Sequence, residues 1–155
     1  MSGAEWRELC RGFEQRGRAI NQFPYDIYHR QEISRAGRIP AEMIERNEAF
    51  LPQMCGVSPP GGIYTHIVGT DLVCTGEGEF YVLEDNARTP SGVSYMLENR
   101  ESMLQMFPEL FSRVKVRPVS GYPKRLRESL AACKPDNCNQ KPVVAVFTPG
   151  IHNSA

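Results

Sequence analysis

Three oxygen-bearing side chains near the middle of this chain have the types and spacing to do chemistry. Asp71 stands in the β-type run Ile63-Tyr-Thr-His-Ile-Val-Gly-Thr-Asp71-Leu-Val-Cys74, and Glu84 and Asn86 end a second run, Phe80-Tyr-Val-Leu-Glu84-Asp-Asn86. Side chains alternate faces along a strand, so Phe80, Val82, Glu84 and Asn86 are expected on one face and Tyr81, Leu83 and Asp85 on the other. Hard oxygen donors gathered in this way suit Mg²⁺, which takes one or two carboxylates and completes its shell with water and substrate phosphates. The plainer alternative is that acids and Asn collect here because they favour turns and helix starts.

Positioning these groups requires a hairpin. The two β-type runs flank Thr75-Gly-Glu-Gly-Glu79, whose Gly76 and Gly78 predict a loop longer than two residues. If the hairpin closes about Glu77, opposed residues have numbers summing to roughly 154 or 155, which sets Asp71 across from Leu83 or Glu84. Beyond Asn86, residues 87–92 turn the chain, and Ser91 is a candidate cap for a helix over 93–106. Ser91 and Gly92, with free amides at that helix start, have the composition of an anion site for a substrate carboxylate or a phosphate. Arg88 falls in the same turn, and its planar fork of donors suits a carboxylate or a developing negative charge equally with a surface ion pair.

Other reactive residue types carry less. His66 shares the expected first strand with Tyr64 and Val68 and reads as a histidine packed beside the sheet, whereas His29 sits among surface-type residues and is expected to be solvated. Five cysteines (Cys10, Cys55, Cys74, Cys133 and Cys138) are odd in number and irregular in spacing, which predicts free thiols in place of a disulfide framework or a zinc site. Cys74, beside several acids at the turn, is expected to be inert.

The runs Pro59-Pro-Gly-Gly-Ile-Tyr64, His66-Ile-Val-Gly-Thr-Asp71-Leu-Val, Phe80-Tyr-Val-Leu-Glu-Asp-Asn86 and Arg88-Thr-Pro-Ser-Gly-Val-Ser-Tyr-Met-Leu-Glu-Asn-Arg100 closely resemble the circularly permuted ATP-grasp proteins of type 2. The likeness extends to Ala19-Ile-Asn21, Asp26-Ile-Tyr28, Phe107-Pro-Glu-Leu-Phe111, Val116-Arg-Pro118 and the stretch from Thr148 to Ala155. It implies an ATP-dependent ligase that joins a small-molecule or peptide carboxylate to an amine through an acyl phosphate, with ATP and Mg²⁺ as cofactors. Glutathionylspermidine synthetase looks like a distant cousin, and by that comparison Asp71, Glu84 and Asn86 are the metal-binding positions. The chain departs from such synthetases at Gly69, where they carry an arginine, and from many type 2 members at Cys74. A metal-dependent phosphohydrolase and a non-catalytic scaffold are the rival readings. The resemblance further implies that residues 1–155 are an internal, partial ATP-grasp domain, the metal-binding half without the nucleotide-gripping part.

The bulk properties agree with a globular protein. With 155 residues, 41% hydrophobic and 23% charged, the chain has apolar material for one core. Its 18 basic and 18 acidic residues balance, so no overall field favours nucleic acid or an anionic membrane, and no apolar run is long enough to span a bilayer. A cytoplasmic location is expected. Trp6, Leu9, Cys10, Phe13 and Ile20 mark one face of a helix over 4–21, which Pro24 is expected to end or offset, with a short helix over 26–32 to follow. Short helical turns are expected at 40–46 and 50–51, a strand over 114–119, a helix from Pro123, and a buried parallel-type strand over 142–147. The expected class is α/β, more closely an α+β ATP-grasp-like arrangement: N-terminal helices, an acid-bearing hairpin, a helix and a parallel-type strand. A parallel strand needs a crossover and a neighbour. With neither after 147, the domain is expected to be incomplete.

Overall fold

The computed structural model describes residues 1–76, 78–147 and 150. It contains two compact units, divided between Ser94 and Tyr95. Mixed helix and a small antiparallel sheet make the class α+β.

The first unit opens with helix α1 (Gly3–Tyr28). A capping box starts it: the Ser2 hydroxyl accepts from the Glu5 amide, and the Glu5 carboxylate accepts from the Ser2 amide, which holds the Glu5 pKa below its usual value. The expected break at Pro24 does not occur. α1 continues through it for another turn, although a proline there removes one helical hydrogen bond at a cost of about 3 kcal/mol. Packing beyond the proline offsets that loss, because Tyr28 stacks on Phe50 at 5.2 Å and Ile27 is buried. The helix instead stops at His29, where Asp26 takes over: its two carboxylate oxygens accept from the amides of Glu32 and Ile33 and so start α2 (Glu32–Arg35). After α3 (Ala41–Glu45), single 3-10 turns at Pro52–Met54 and Pro60–Gly62 lead to the hairpin.

That hairpin is shorter than the sequence led us to expect. Strand β1 covers Gly69–Gly76 and pairs with β2, Glu79–Asn86; residues 63–68 are not strand. Glu77, the expected pivot, lies outside the described residues. Residues 63–65 are held in another way. The Asn21 side chain of α1 donates to the Gly62 carbonyl at 2.9 Å and accepts from the amides of Tyr64 and Thr65 at 2.7 and 3.2 Å. One side chain thus satisfies three backbone groups that a ladder would otherwise pair. Replacing it, Asn21→Ala, leaves these groups without their partner and is expected to destabilise the protein by about 1–3 kcal/mol in chemical denaturation. An unchanged midpoint would show that water replaces the side chain at no cost.

His29 is correspondingly not solvated. The Tyr64 hydroxyl donates to the Val57 carbonyl, so it must accept from His29 Nε2–H at 2.8 Å, and the imidazole stacks on Tyr25 at 4.8 Å. Burial raises the Tyr64 pKa above its usual value. His66 is exposed and belongs to no strand.

The second unit contains most of α4 (Val93–Met106), then α5 (Pro108–Arg113) and α6 (Tyr122–Ala132). Arg100 organises it by donating to the Arg117 carbonyl at 2.7 Å while lying 5.9 Å from the centroid of the Phe111 ring. Neither expected strand forms among the described residues of this unit: 114–119 is irregular, and 142–147 runs without a partner, with Val143 95% and Phe147 96% exposed. Backbone pairing makes a strand, and an apolar run without a neighbouring edge has nothing to pair with. The expected single core is likewise not realised, since Ile27 is the one described hydrophobic residue in the buried class. Part of Thr148 to Ala155, including all of 151–155, lies outside the described residues. No disulfide links the described cysteines.

Candidate functional site

The hairpin presents two chemically different faces, and its pairing shows how the sequence separates them. Leu72 lies opposite Val82 and Cys74 opposite Phe80, whereas Asp71 lies opposite Glu84, Thr70 opposite Asp85 and Gly69 opposite Asn86. Between Val82 and Glu84 the ladder has one residue too many. Leu83 is therefore a β-bulge, and it shifts the alternation of everything after it.

Leu72, Phe80 and Val82 face α1 across a hollow of about 630 Å³ that Leu9, Phe13 and Arg16 also line. Without the bulge, Glu84 and Asn86 would share this face, as simple alternation predicts. The shift instead brings Asp85 to it. Arg16 Nε and Nη2 both reach Asp85 Oδ2 at 2.6 Å, and the Thr70 hydroxyl donates to Oδ1 at 2.8 Å. The Arg16 hydrogen bonds, with Thr70 helping, hold the Asp85 pKa below the usual carboxylate value. With both oxygens engaged, Asp85 is a structural carboxylate.

Asp71, Glu84 and Asn86 stand on the opposite, solvent-exposed face. Asp71 and Glu84 are direct cross-strand partners, which places their Cβ atoms about 5 Å apart. The Asn86 amide donates to Glu84 Oε1 at 3.0 Å, turning its own carbonyl oxygen free of that carboxylate. The pairing thus sets Glu84 and not Leu83 opposite Asp71, with Asn86 on the same face. The sequence reasoning went wrong over which neighbours accompany these residues, because a bulge leaves no mark in binary patterning. The set offers two carboxylates and an amide, and among the described residues no group of three His, Cys, Asp or Glu side chains is placed to hold a metal. Such a set fits a hard cation that completes its shell with phosphate oxygens and water.

Gly69 lies beside Asn86 on this face, and Pro90 closes over it. A Cβ added at Gly69 would meet Pro90 Cβ at 3.1 Å and Asn86 Cβ at 3.6 Å. Pro90 therefore packs against the base of the hairpin at a position where any side chain would crowd it. Arg88, in the same segment, is exposed. Ser91 and Gly92 immediately precede α4, and the Gly92 φ of 90° is a left-handed backbone that an L side chain resists.

Two tethers were missed at the level of sequence: Asn21, whose polar type on an apolar-patterned helix was the available signal, and Arg16, for which the charges along the helix carried none.

The sequence model of the family described as "Circularly permuted ATP-grasp type 2" matches residues 1–155. The chain belongs to this family. Among its relatives, an uncharacterized protein of Synechocystis is 47% identical over 155 residues, covering all of this chain and 32% of the relative. An uncharacterized protein of Mycobacterium tuberculosis is 44% identical over 155 residues, again all of this chain and 28% of its own length. A putative glutamate–cysteine ligase of Frankia casuarinae is 34% identical over 155 residues, covering all of this chain and 18% of the relative. This ATP-grasp chain thus spans about a third or less of the length of these relatives. Among the described residues no helix is long and apolar enough to cross a membrane.

Proposed function

We propose that this ATP-grasp chain supplies the metal-binding face of an ATP-dependent ligase joining a carboxylate to an amine. The observation that carries the reading is the direct cross-strand pairing of Asp71 with Glu84, with Asn86 hydrogen-bonded to Glu84 on the same face. Family membership and the ligase name of the Frankia relative support it. That name describes a protein of which the chain covers 18%, so glutamate and cysteine are one substrate pair to try.

Mg²⁺ at Asp71, Glu84 and Asn86 would neutralise charge on the ATP phosphates as phosphoryl transfer proceeds. The protein groups do the rest. Arg88 binds the substrate carboxylate, whose oxygen attacks the γ-phosphorus and expels ADP; the amine nitrogen then attacks the acyl carbon, phosphate leaves and the nitrogen loses a proton. The amides around Ser91 and Gly92 hold an anion, either the carboxylate or a phosphate. Residues 1–155 form only part of the ATP-grasp domain on this reading, and the groups gripping the nucleotide lie elsewhere in a longer protein.

Incubating the protein, produced at the length of its relatives, with ATP, a pool of amino and carboxylic acids and hydroxylamine tests this reading. ADP formation accompanied by a hydroxamate supports it. Phosphate release without any acyl product would replace it with a phosphohydrolase, and no binding of Mg·ATP with a scaffold.

A further inference from the structure

The hollow under α1 leaves the helix in weak contact with the strands beneath it, which makes a strong link between them among the described residues informative. Near the hairpin tip the helix merely approaches: a Cβ on Gly78 would lie 3.8 Å from a Glu5 carboxylate oxygen. At the base it is tied, through the two Arg16 nitrogens on Asp85 Oδ2.

We infer that Arg16 is a positioning residue for the acid face: by holding Asp85 against α1, it keeps β2 in the bulged register that turns Glu84 toward Asp71 and Asn86.

A shift of one residue moves every following side chain to the other face of a strand, and register is weakly specified in an isolated two-stranded ribbon. Removing the bulge would place Glu84 on the α1 face beside Val82 and turn Asp85 outward. The apolar side chains cannot prevent this slip, because Leu72, Phe80 and Val82 precede the bulge and keep their places in either register. What distinguishes the two is the carboxylate after it. In the bulged register Asp85 stands directly opposite Thr70, which occupies one oxygen while Arg16 occupies the other. Unbulged, Arg16 would meet Glu84, one of the acids the site needs. The ion pair on one face thus determines which carboxylate the other face presents.

The register part stands on the pairing alone; its consequence for Mg²⁺ rests on the proposed function, and the two are tested separately. Cross-strand NMR contacts between Asp71 and Glu84 are measured, with selective labelling of these residue types, in the protein at the length of its relatives as wild type, Arg16→Ala and Arg16→Lys. The contact should be lost or divided between two registers in Arg16→Ala and restored in Arg16→Lys, which keeps the charge. In the protein at the length of its relatives, Arg16→Ala should raise the Mg²⁺ concentration for half-maximal ATP turnover by about tenfold or more, with Arg16→Lys recovering most of the loss. An Asp71–Glu84 contact that is intact in Arg16→Ala overturns the inference. So does an unchanged Mg²⁺ requirement in Arg16→Ala when Glu84→Gln raises it. Should Glu84→Gln leave the requirement unchanged, the proposed function fails, and the NMR contact still decides the register claim. If Arg16→Ala does not fold, Asp85→Asn is measured in its place, with the same outcomes deciding.

Discussion

At saturating Mg²⁺, Glu84→Gln is expected to lower ATP turnover by on the order of 10²-fold or more while leaving the unfolding midpoint near that of the wild type; Asp85→Asn should lower the midpoint and raise the Mg²⁺ requirement, with most of the turnover recovered by excess Mg²⁺. A ligand carboxylate that neutralises phosphate charge contributes several kcal/mol to the transition state, which is at least two powers of ten in rate. Glu84 is exposed and its recorded partner is the neighbouring Asn86, so little of the fold depends on its charge. Asp85 is the opposite case, with three donors on its two oxygens. Its depressed pKa also sets a pH dependence. Protons bind the unfolded carboxylate first, so the stability it contributes is complete above the ordinary aspartate pKa and is lost as pH falls through the lower folded value. The difference in stability between wild type and Asp85→Asn should therefore be largest at neutral pH and fade in acid. Steady-state ADP formation and acid denaturation measure the two effects. Equal losses of turnover in both variants at saturating Mg²⁺ would contradict the assignment of the two faces.

Titrating the 155-residue chain calorimetrically with Mg·ATP should give no binding, whereas the protein at the length of its relatives should bind in the micromolar range. Two carboxylates and an amide on an exposed face do not hold Mg²⁺ without phosphates, and phosphates do not stay without groups that grip the nucleotide. The expected difference is large: a Kd of 1 μM corresponds to about 8 kcal/mol. Micromolar binding by the 155-residue chain alone would place the nucleotide site within these residues.

Glu84 and Asn86 could be placed on one face from sequence by strand alternation, and the two turn glycines narrowed the partner of Asp71 to Leu83 or Glu84, of which the pairing selects Glu84. What escaped the reading was Leu83. A bulge is an extra residue accommodated by contacts elsewhere, here Arg16 and Thr70 on Asp85, and no periodicity within β2 announces it. The same reason explains Pro24. Local propensity ends a helix there, but stacking of Tyr28 on Phe50, 22 residues further along, carries it on. Residues 63–68 have strand composition and no strand neighbour, and Asn21 supplies from a helix the partners that a ladder would have provided. The helices over 93–106 and 122–132 were legible because their signals are local: a glycine and serine ahead of the first, a proline at the start of the second.

The run from Val143 to Phe147 has a consequence for how the chain behaves before any partner meets it. Five successive apolar residues with strand propensity, no charge and high exposure form a segment that self-stacks readily, so newly made chains compete between productive burial and association with one another. Lys141 and Pro142 stand immediately ahead of it. A charge and a residue lacking an amide proton, set beside an apolar segment, act as gatekeepers that slow its growth into intermolecular sheet. Pro149 follows on the other side, two residues after Phe147, so the run is flanked at both ends, and yield as a function of protein concentration during refolding measures how well these flanks hold.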